Sequence, residues 1–125
     1  MSDNISKSLR VLIVEDEFFI ALDIQAILEA DGHSVLGVAT SAEEAVQAAQ
    51  TLLPDVVLMD VRLAQGSDGV EAAQEIRARF NIRSLFVTAN VDAQTRLRAA
   101  SADPLGFLEK PVTRLACVRR WHSSD

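Results

Sequence analysis

The sequence predicts an α/β protein built on a doubly wound, five-stranded parallel sheet. Short apolar runs alternate along the chain with longer stretches whose apolar residues recur at helical spacing. The runs are continuously apolar, which is typical of strands that are buried on both faces of a parallel sheet. At 125 residues, 49% of them hydrophobic, the chain is long enough for one domain with a substantial core. Right-handed crossovers then place helices on both sides of the sheet.

Five apolar runs, each bounded by polar or turn residues, are predicted to be the strands. In chain order they are RVLIV at 10–14, SVLGVA at 34–39, DVVLM at 55–59, SLFVT at 84–88 and GFL at 106–108. The first helix follows RVLIV. Its apolar face is predicted to comprise Ile20, Ile24, Ile27 and Leu28.

The second helix is predicted from a capping box. Ser41 and Glu44 form the S-x-x-E pattern, in which the two side chains satisfy free N–H groups of the first turn. The buried face of this helix is predicted to comprise Ala45, Val46, Ala49, Leu52 and Leu53. Helical spacing predicts three more helices, in GVEAAQEIRARF, VDAQTRLRAAS and the short VTRLACVRRW. The predicted order is therefore β-α repeated five times.

Composition limits the classes of partner. Twelve basic against 18 acidic residues give a net charge of −6, which disfavours direct binding to nucleic acid or to an anionic membrane surface. No signal peptide precedes the first strand, and no apolar run approaches the ~20 residues that span a bilayer, so a cytoplasmic location is expected. One domain is predicted at 9–122, with tails at 1–8 and 123–125.

A few single residues invite attention without forming a motif. Cys117 is the only cysteine, so it cannot form an internal disulfide and is interpreted as a small apolar residue. His33 and His122 each stand alone as histidines in the sequence and are predicted to be solvated. Trp121 is interpreted either as a lid on the last helix or as a partner contact.

Negative charge collects at the end of the first strand. In VLIVEDE the apolar run leads directly into Glu15, Asp16 and Glu17. Carboxylates this close repel one another and raise each other's pKa unless a cation lies between them. Glu17 is predicted to open the first helix, where the positive end of the helix dipole favours a carboxylate. Glu15 and Asp16 therefore imply a bound cation.

Reactive residue types follow the other strands. Asp60 follows the third strand, Thr88 ends the fourth and Lys110 follows the fifth. Because ligands bind outside the carboxyl ends of parallel strands, these side chains are expected to meet Asp16. Oxygen ligands with room for water and phosphate suit Mg²⁺, bound directly by Asp16 and Asp60 and through water by Glu15. A carboxylate can then attack phosphorus, with Mg²⁺ and Lys110 neutralising the phosphoryl charge and Thr88 donating a hydrogen bond.

Four motifs carry these residues, VEDE, VVLMD, FVTAN and GFLEKP, at the ends of four predicted strands. In this combination the sequence, over residues 9–120, resembles the receiver domain of bacterial two-component response regulators. The resemblance implies a flavodoxin-like (βα)5 receiver fold. It also implies that a sensor histidine kinase or a histidine phosphotransfer protein supplies the phosphoryl group, and that a downstream protein receives the signal.

The resemblance implies a role for each site residue. Asp60 is the phosphoacceptor, and Thr88 and Lys110 bind the phosphoryl group. The implied ligands of Mg²⁺ are Glu15, Asp16, Asp60 and the backbone carbonyl of Arg62. Phe107 acts with Thr88 as the conformational switch. The peptide bond before Pro111 is expected to be cis.

The sequence also departs from the usual family pattern. The segment AQGSDG, with Gly66 and Gly69, replaces a proline and a shorter loop, so a looser turn into the third helix is expected. Phe107 replaces the commoner tyrosine, so the switch must work by packing alone. Arg62 and Asn90 occupy positions that flank the phosphoryl group in similar proteins. The last helix is short, and a monomer or a weak homodimer is expected.

An exposed apolar ridge is predicted beside the acidic residues. Phe19 and Leu22 lie off the buried stripe of the first helix, and such ridges mark partner sites. We expect them to contact the helices of the kinase, although simple packing is the alternative. Other functions compatible with this sequence are a phosphate shuttle in a phosphorelay, a receiver detached from an output domain, a phosphatase with an aspartate nucleophile, and a flavin or nucleotide binder.

Overall fold

The backbone forms a sheet in which all neighbouring strands are parallel. The computed structural model describes residues 8–63 and 66–112. Within them the strands are β1 (Arg10–Val14), β2 (Ser34–Ala39), β3 (Val56–Asp60), β4 (Ser84–Thr88) and β5 (Gly106–Glu109). Their order across the sheet is β2-β1-β3-β4-β5. The predicted five-stranded architecture is therefore confirmed, with β3 running one residue further than predicted so that it ends on Asp60.

Helices cover both faces of the sheet. They are α1 (Phe18–Ala30), α2 (Ala42–Leu52), α3 (Gly69–Phe80) and α4 (Ala93–Ala99). The last of these is shorter than predicted, because the chain tightens into a 3-10 turn at Ala100–Ala102. The predicted fifth helix, with Cys117, Trp121 and His122, lies outside the described residues. Among the helices described, none has the length and apolar character to cross a membrane.

Successive residues of the central strands pack into opposite layers. Leu12 and Phe86 belong to a cluster that includes buried residues of α2 and α3. Ile13 belongs to the cluster on the other face, where Ile24 and Leu28 of α1 are buried. Burial on both faces explains why the strands read as continuous apolar runs.

Polar side chains begin three of the helices. Ser41 Oγ accepts a hydrogen bond from the Glu44 N–H at 3.2 Å, as the capping box predicts. The reciprocal bond is different, because Glu44 accepts from the N–H and the hydroxyl of Thr40, at 2.8 and 2.9 Å. These two bonds lower the pKa of the Glu44 carboxyl. Asp68 and Asp92 cap α3 and α4 with their carboxylates.

Two side chains lie where the sequence analysis did not predict them. His33 is buried rather than solvated, because its Nδ1 accepts a hydrogen bond from the Leu9 N–H at 3.0 Å and its Nε2 lies 3.3 Å from Asp31 Oδ2. Leu53 is 57% exposed rather than on the buried face of α2. It takes the left-handed conformation that ends α2, at φ 48°, and so leaves the helical register. Its carbonyl accepts a hydrogen bond from Arg10 Nη1 at 2.8 Å.

The segment between β3 and α3 is pressed against the end of β3. The Gly69 N–H donates to the Val61 carbonyl at 2.9 Å, and Arg62 and Asp68 form an antiparallel bridge. These two interactions join the start and the end of the segment, so its described part is held more firmly than the looser turn that the sequence suggests. A Cβ on Gly69 would lie 1.8 Å from the Asp60 carbonyl oxygen, so only glycine lets α3 begin this close to the strand.

The Gly69→Ala substitution should lower the free energy of unfolding by about 1–3 kcal/mol, the usual cost of overpacking a close contact. The added methyl group would overlap the Asp60 carbonyl oxygen, so the start of α3 would have to move. Urea unfolding followed by circular dichroism measures the change.

Gly37→Ala is the matched control in β2. Its added Cβ would meet only Leu52 Cδ1, at an ordinary 3.7 Å. This variant should be neutral or slightly stabilised, since alanine restricts the unfolded chain. Equal unfolding free energies for the two variants would show that the contact at Gly69 is not tight.

Candidate functional site

Three carboxylates from neighbouring strand ends meet at the carboxyl edge of the sheet. Glu15 and Asp16 follow β1, and Asp60 ends the adjacent β3. One carboxylate oxygen from each lies within 4.8 Å of the other two. Glu15 and Asp60 are only 2% and 6% exposed, whereas Asp16 is exposed. The structure thus brings together the acidic residues that the sequence analysis singled out.

Lys110 enters this cluster from the end of β5. Its Nζ donates a hydrogen bond to Asp60 Oδ2 at 2.9 Å and lies 3.1 Å from Glu15 Oε1. The peptide bond between Lys110 and Pro111 is cis. The ammonium group therefore lies between two nearly buried carboxylates and offsets part of their repulsion.

Burial and neighbouring charges shift two pKa values in the cluster. Burial raises the pKa of Glu15, and the charge of Asp60 raises it further, although a hydrogen bond from the Glu17 N–H at 3.1 Å and the charge of Lys110 oppose the rise. Burial alone would lower the pKa of Lys110. Its hydrogen bond to Asp60, its close contact with Glu15 and the charges of these carboxylates outweigh burial and raise it.

One buried acceptor in the cluster is only partly satisfied by the described residues. Glu15 Oε1 is in ion-pair contact with the Lys110 ammonium at 3.1 Å but accepts no well-aligned hydrogen bond from them. Because that ammonium is shared with Asp60, a second cation beside Glu15 would further stabilise the buried negative charge. The donor set, carboxylate oxygens only, suits a hard cation such as Mg²⁺.

Asp60 is nearly buried, yet it opens into a cleft. The cleft has a volume of about 440 Å³ and is lined by Asp16, Asp60, Arg62, Thr88, Asn90 and Lys110, among others. A water molecule occupies roughly 30 Å³ in the liquid, so the cleft has room for a hydrated ion and a phosphoryl group. The residues predicted to act on phosphate therefore share one solvent-accessible space.

Thr88 ends β4 and is engaged with the loop that leads into α4. Its Oγ1 accepts a hydrogen bond from the Asn90 N–H at 3.3 Å and donates one to the Asn90 carbonyl at 3.3 Å. The side chain is largely buried, at 8% exposure. The hydroxyl thus links the cleft to the loop that leads into α4.

Phe107 is half-buried between an aromatic ring and a guanidinium group. Its ring stacks on Phe86 with centroids 5.5 Å apart, and Arg96 Cζ lies 4.9 Å from the Phe107 centroid. The sequence analysis missed Arg96, because a single arginine on a short helix gives no signal of a contact with a ring in another strand.

The apolar ridge beside the acidic cluster is present and is larger than predicted. Phe19 and Leu22 are 78% and 45% exposed. A groove of about 190 Å³ next to Asp16 is lined by Phe18, Leu22 and Val38. The sequence analysis did not assign Phe18 and Val38 to this surface. Val38 reaches this groove because β2 pairs beside β1. The residue pattern within one strand does not reveal which strands are neighbours.

Comparison with known proteins identifies the family. The model of the response regulator receiver domain matches residues 11–120. The phyllosphere-induced regulator PhyR of Methylorubrum extorquens is 41% identical over 102 residues, which are 81% of this chain and 38% of PhyR. The transcriptional regulatory protein PdtaR of Mycobacterium tuberculosis is 36% identical over 83% of this chain and 50% of PdtaR. This chain spans half or less of the length of either regulator.

The fold comparison gives the same family. The signal receiver domain of a modulated diguanylate cyclase from Desulfovibrio desulfuricans G20 has 38% sequence identity and a TM-score of 0.85, and 94% of each chain is covered. The fold, the residues at the strand ends and the sequence similarity therefore all indicate the same family. This chain belongs to the response regulator receiver domain family.

Proposed function

We propose that this chain is a phosphorylation-controlled switch in which Asp60 accepts a phosphoryl group from a phosphohistidine. Receiver domains interact with histidine kinases or phosphotransfer proteins, so the proposed donor is one of these. The observation that carries the proposal is the contact of Lys110 with Asp60 at 2.9 Å, beside two further carboxylates and inside an open cleft.

The proposed chemistry divides among three side chains. The Asp60 carboxylate forms a new O–P bond as the P–N bond to the donor histidine breaks. Lys110, already beside Asp60, binds a phosphoryl oxygen and offsets its charge. Thr88 exchanges its hydrogen bonds with Asn90 for one to another phosphoryl oxygen. Such charge-assisted hydrogen bonds are about twice as strong as neutral ones.

The acidic cluster fits Mg²⁺, which receiver domains bind at an acidic pocket. The proposed ligands are Glu15, Asp16, Asp60 and the backbone carbonyl of Arg62, with Glu15 acting through water. The support is the oxygen-only donor set and the presence, among the described residues, of a single ammonium group, that of Lys110, in contact with both Glu15 and Asp60. Bound there, Mg²⁺ supplies positive charge that neutralises the transferring phosphoryl group.

The proposed response is a shift of the surface around α4 and β5. The movement of Thr88 toward the phosphoryl group opens space for Phe107, which is now stacked on Phe86. Moving such an equilibrium from 1:99 to 99:1 takes ~5.5 kcal/mol of differential interaction. A few charge-assisted hydrogen bonds at ~1.5–3 kcal/mol each supply that amount.

The proposed donor-docking surface is the apolar ridge next to the cleft. Phe19 and Leu22 are exposed, and the groove formed with Phe18 and Val38 adjoins Asp16. A helix of the donor packed here would bring its phosphohistidine to the entrance of the cleft.

We propose that the signal passes from this chain to a downstream protein rather than to nucleic acid or a membrane. The chain would act in the cytoplasm as a monomer or a weak homodimer, and would catalyse only its own phosphorylation and dephosphorylation. The net charge of −6 supports a protein partner.

Incubation with acetyl phosphate and Mg²⁺ should add one phosphoryl group to the wild-type protein and none to Asp60→Asn, because the amide cannot act as the nucleophile. Intact mass measures the addition. Asp55→Asn is the matched control, since Asp55 accepts a hydrogen bond from the Arg10 N–H at the opposite end of β3. Labelling of Asp60→Asn, or multiple turnover on a small phosphate ester, would refute the proposal.

Glu15→Gln should stabilise the metal-free protein more at pH 7 than at pH 4. The pKa of Glu15 is raised in the folded state, so the protonated carboxyl favours the folded protein. This contribution to stability is fully present below the unfolded pKa of about 4.5 and is lost as the pH rises through the folded pKa, whereas glutamine is uncharged at both pH values. Urea unfolding in EDTA at the two pH values measures the difference. Glu43→Gln, on the exposed face of α2, corrects for the loss of one negative charge. If Glu15→Gln raised the free energy of unfolding equally at pH 4 and pH 7, the raised pKa of Glu15 would be contradicted.

Leu22→Asp should slow transfer from a histidine phosphotransfer protein by about tenfold or more, the cost of losing a central apolar contact. Labelling by acetyl phosphate, which needs no docking, should stay at the wild-type rate. Leu97→Asp is the control, because Leu97 is 78% exposed on α4. If Leu22→Asp and Leu97→Asp received the phosphoryl group at the same rate, the ridge would not be part of the docking surface.

A further inference from the structure

Polar contacts hold the end of α4 and the loop that precedes it. In the loop, the Thr88 hydroxyl is bonded to the Asn90 backbone. At the end of the helix, Arg98 Nη2 forms an ion pair with Asp68 Oδ2, and Gln74 Nε2 donates to the Arg98 carbonyl at 3.2 Å. A helix of seven residues is too short to be stable alone, so these contacts, together with that of Arg96 and Phe107, help to decide where it lies.

The carboxylate bound by Arg98 belongs to Asp68, in the segment between α3 and the strand that ends on Asp60, the proposed phosphoacceptor. Asp68 Oδ1 caps α3 by accepting from the Val70 N–H at 2.8 Å, which leaves Oδ2 for the arginine. The next residue, Gly69, lies against the Asp60 carbonyl. Arg98 therefore connects α4 to the backbone beside Asp60 through one side chain.

We propose that the Asp68–Arg98 ion pair is a latch that holds α4 in its unphosphorylated position and sets how readily the receiver switches. The proposal rests on the proposed function. A phosphoryl group on Asp60 draws Thr88 away from Asn90 and frees the loop that precedes α4. The latch at the end of α4 opposes movement of the helix. Arg98 is thus a positioning residue, which acts through α4 without touching the phosphoryl group.

Little apolar burial competes with the latch. Leu97 is 78% exposed, and Ala99 is the buried residue of α4. The two side chains of the latch are 44% and 27% exposed, so water and salt weaken the pair. Exposed ion pairs shift an equilibrium by up to about fivefold. A latch of this size biases the switch without locking it.

The effect of the latch can be measured as a change in affinity for a phosphoryl mimic, because ligand binding and the position of α4 are thermodynamically linked. A contact that stabilises only the unphosphorylated arrangement must weaken the binding of a phosphoryl mimic, and its removal must restore that affinity by the same factor. The test titrates the full chain with beryllium fluoride in excess Mg²⁺ and follows amide NMR shifts. Asp68→Asn keeps an oxygen to cap α3 but loses the charge, and Arg98→Gln removes the other partner. Arg79→Gln is the control, since it breaks a pair with Glu75 within α3.

Both Asp68→Asn and Arg98→Gln should lower the half-saturating concentration of beryllium fluoride by about two- to fivefold. The double variant should gain no more affinity than either single variant, and the affinity of Arg98→Lys should stay near that of wild type. The two single variants change the net charge in opposite directions, so long-range electrostatics predicts opposite effects and the latch predicts the same effect. Arg79→Gln should match wild type.

Unchanged affinity, additive effects or opposite effects of the single variants would overturn the latch. Thermal unfolding of each variant checks that the fold is retained, and Arg98→Lys keeps the test valid if Arg98→Gln does not fold. Wild-type protein that binds no beryllium fluoride would overturn the proposed function and the latch together. Binding by wild type with no change in the variants would overturn the latch alone.

Discussion

The site depends on one electrostatic constraint, which is that three carboxylates within 4.8 Å of one another need positive charge between them. Lys110 supplies part of it, at 2.9 Å from Asp60 and 3.1 Å from Glu15. One ammonium group is shared between two carboxylates, and Glu15 Oε1 accepts no well-aligned hydrogen bond from the described residues. This shortage of positive charge suits the cluster to a divalent cation.

The register of the sheet places these groups together. Val14 pairs with Met59, so Glu15, directly after β1, lies beside Asp60, the last residue of β3. Thr88 pairs with Glu109, so Lys110 is the next residue after the paired end of β5. Because strands in a parallel sheet end at one edge, four chain segments deliver their polar residues to one cleft. Gly69 then lets α3 begin directly against Asp60 and closes one side of the site.

Much of this arrangement could be predicted from the sequence, because strand ends are marked by an abrupt change from apolar to polar residues. Asp60 and Lys110 are such cases. The contacts of Arg96 with Phe107 and of Arg98 with Asp68 could not be predicted, since they depend on the direction in which a short helix faces its neighbours. His33 and Leu53 were placed wrongly for a related reason. A buried histidine needs partners from other segments, and a left-handed helix end turns an apolar side chain outward.

The cleft has a rim that tolerates change, whereas the residues beneath it tolerate little. Asp60 and its neighbour Glu15 are nearly buried, and Gly69, against the Asp60 carbonyl, leaves no space for even a methyl group. On the rim, Arg62 and Asn90 are exposed and carry no part of the core. Under the proposed function, these rim residues would influence the access of water to a phosphorylated Asp60. The duration of a signal could then be lengthened or shortened, by evolution or by an engineer, with the bond-forming residues and the fold left as they are.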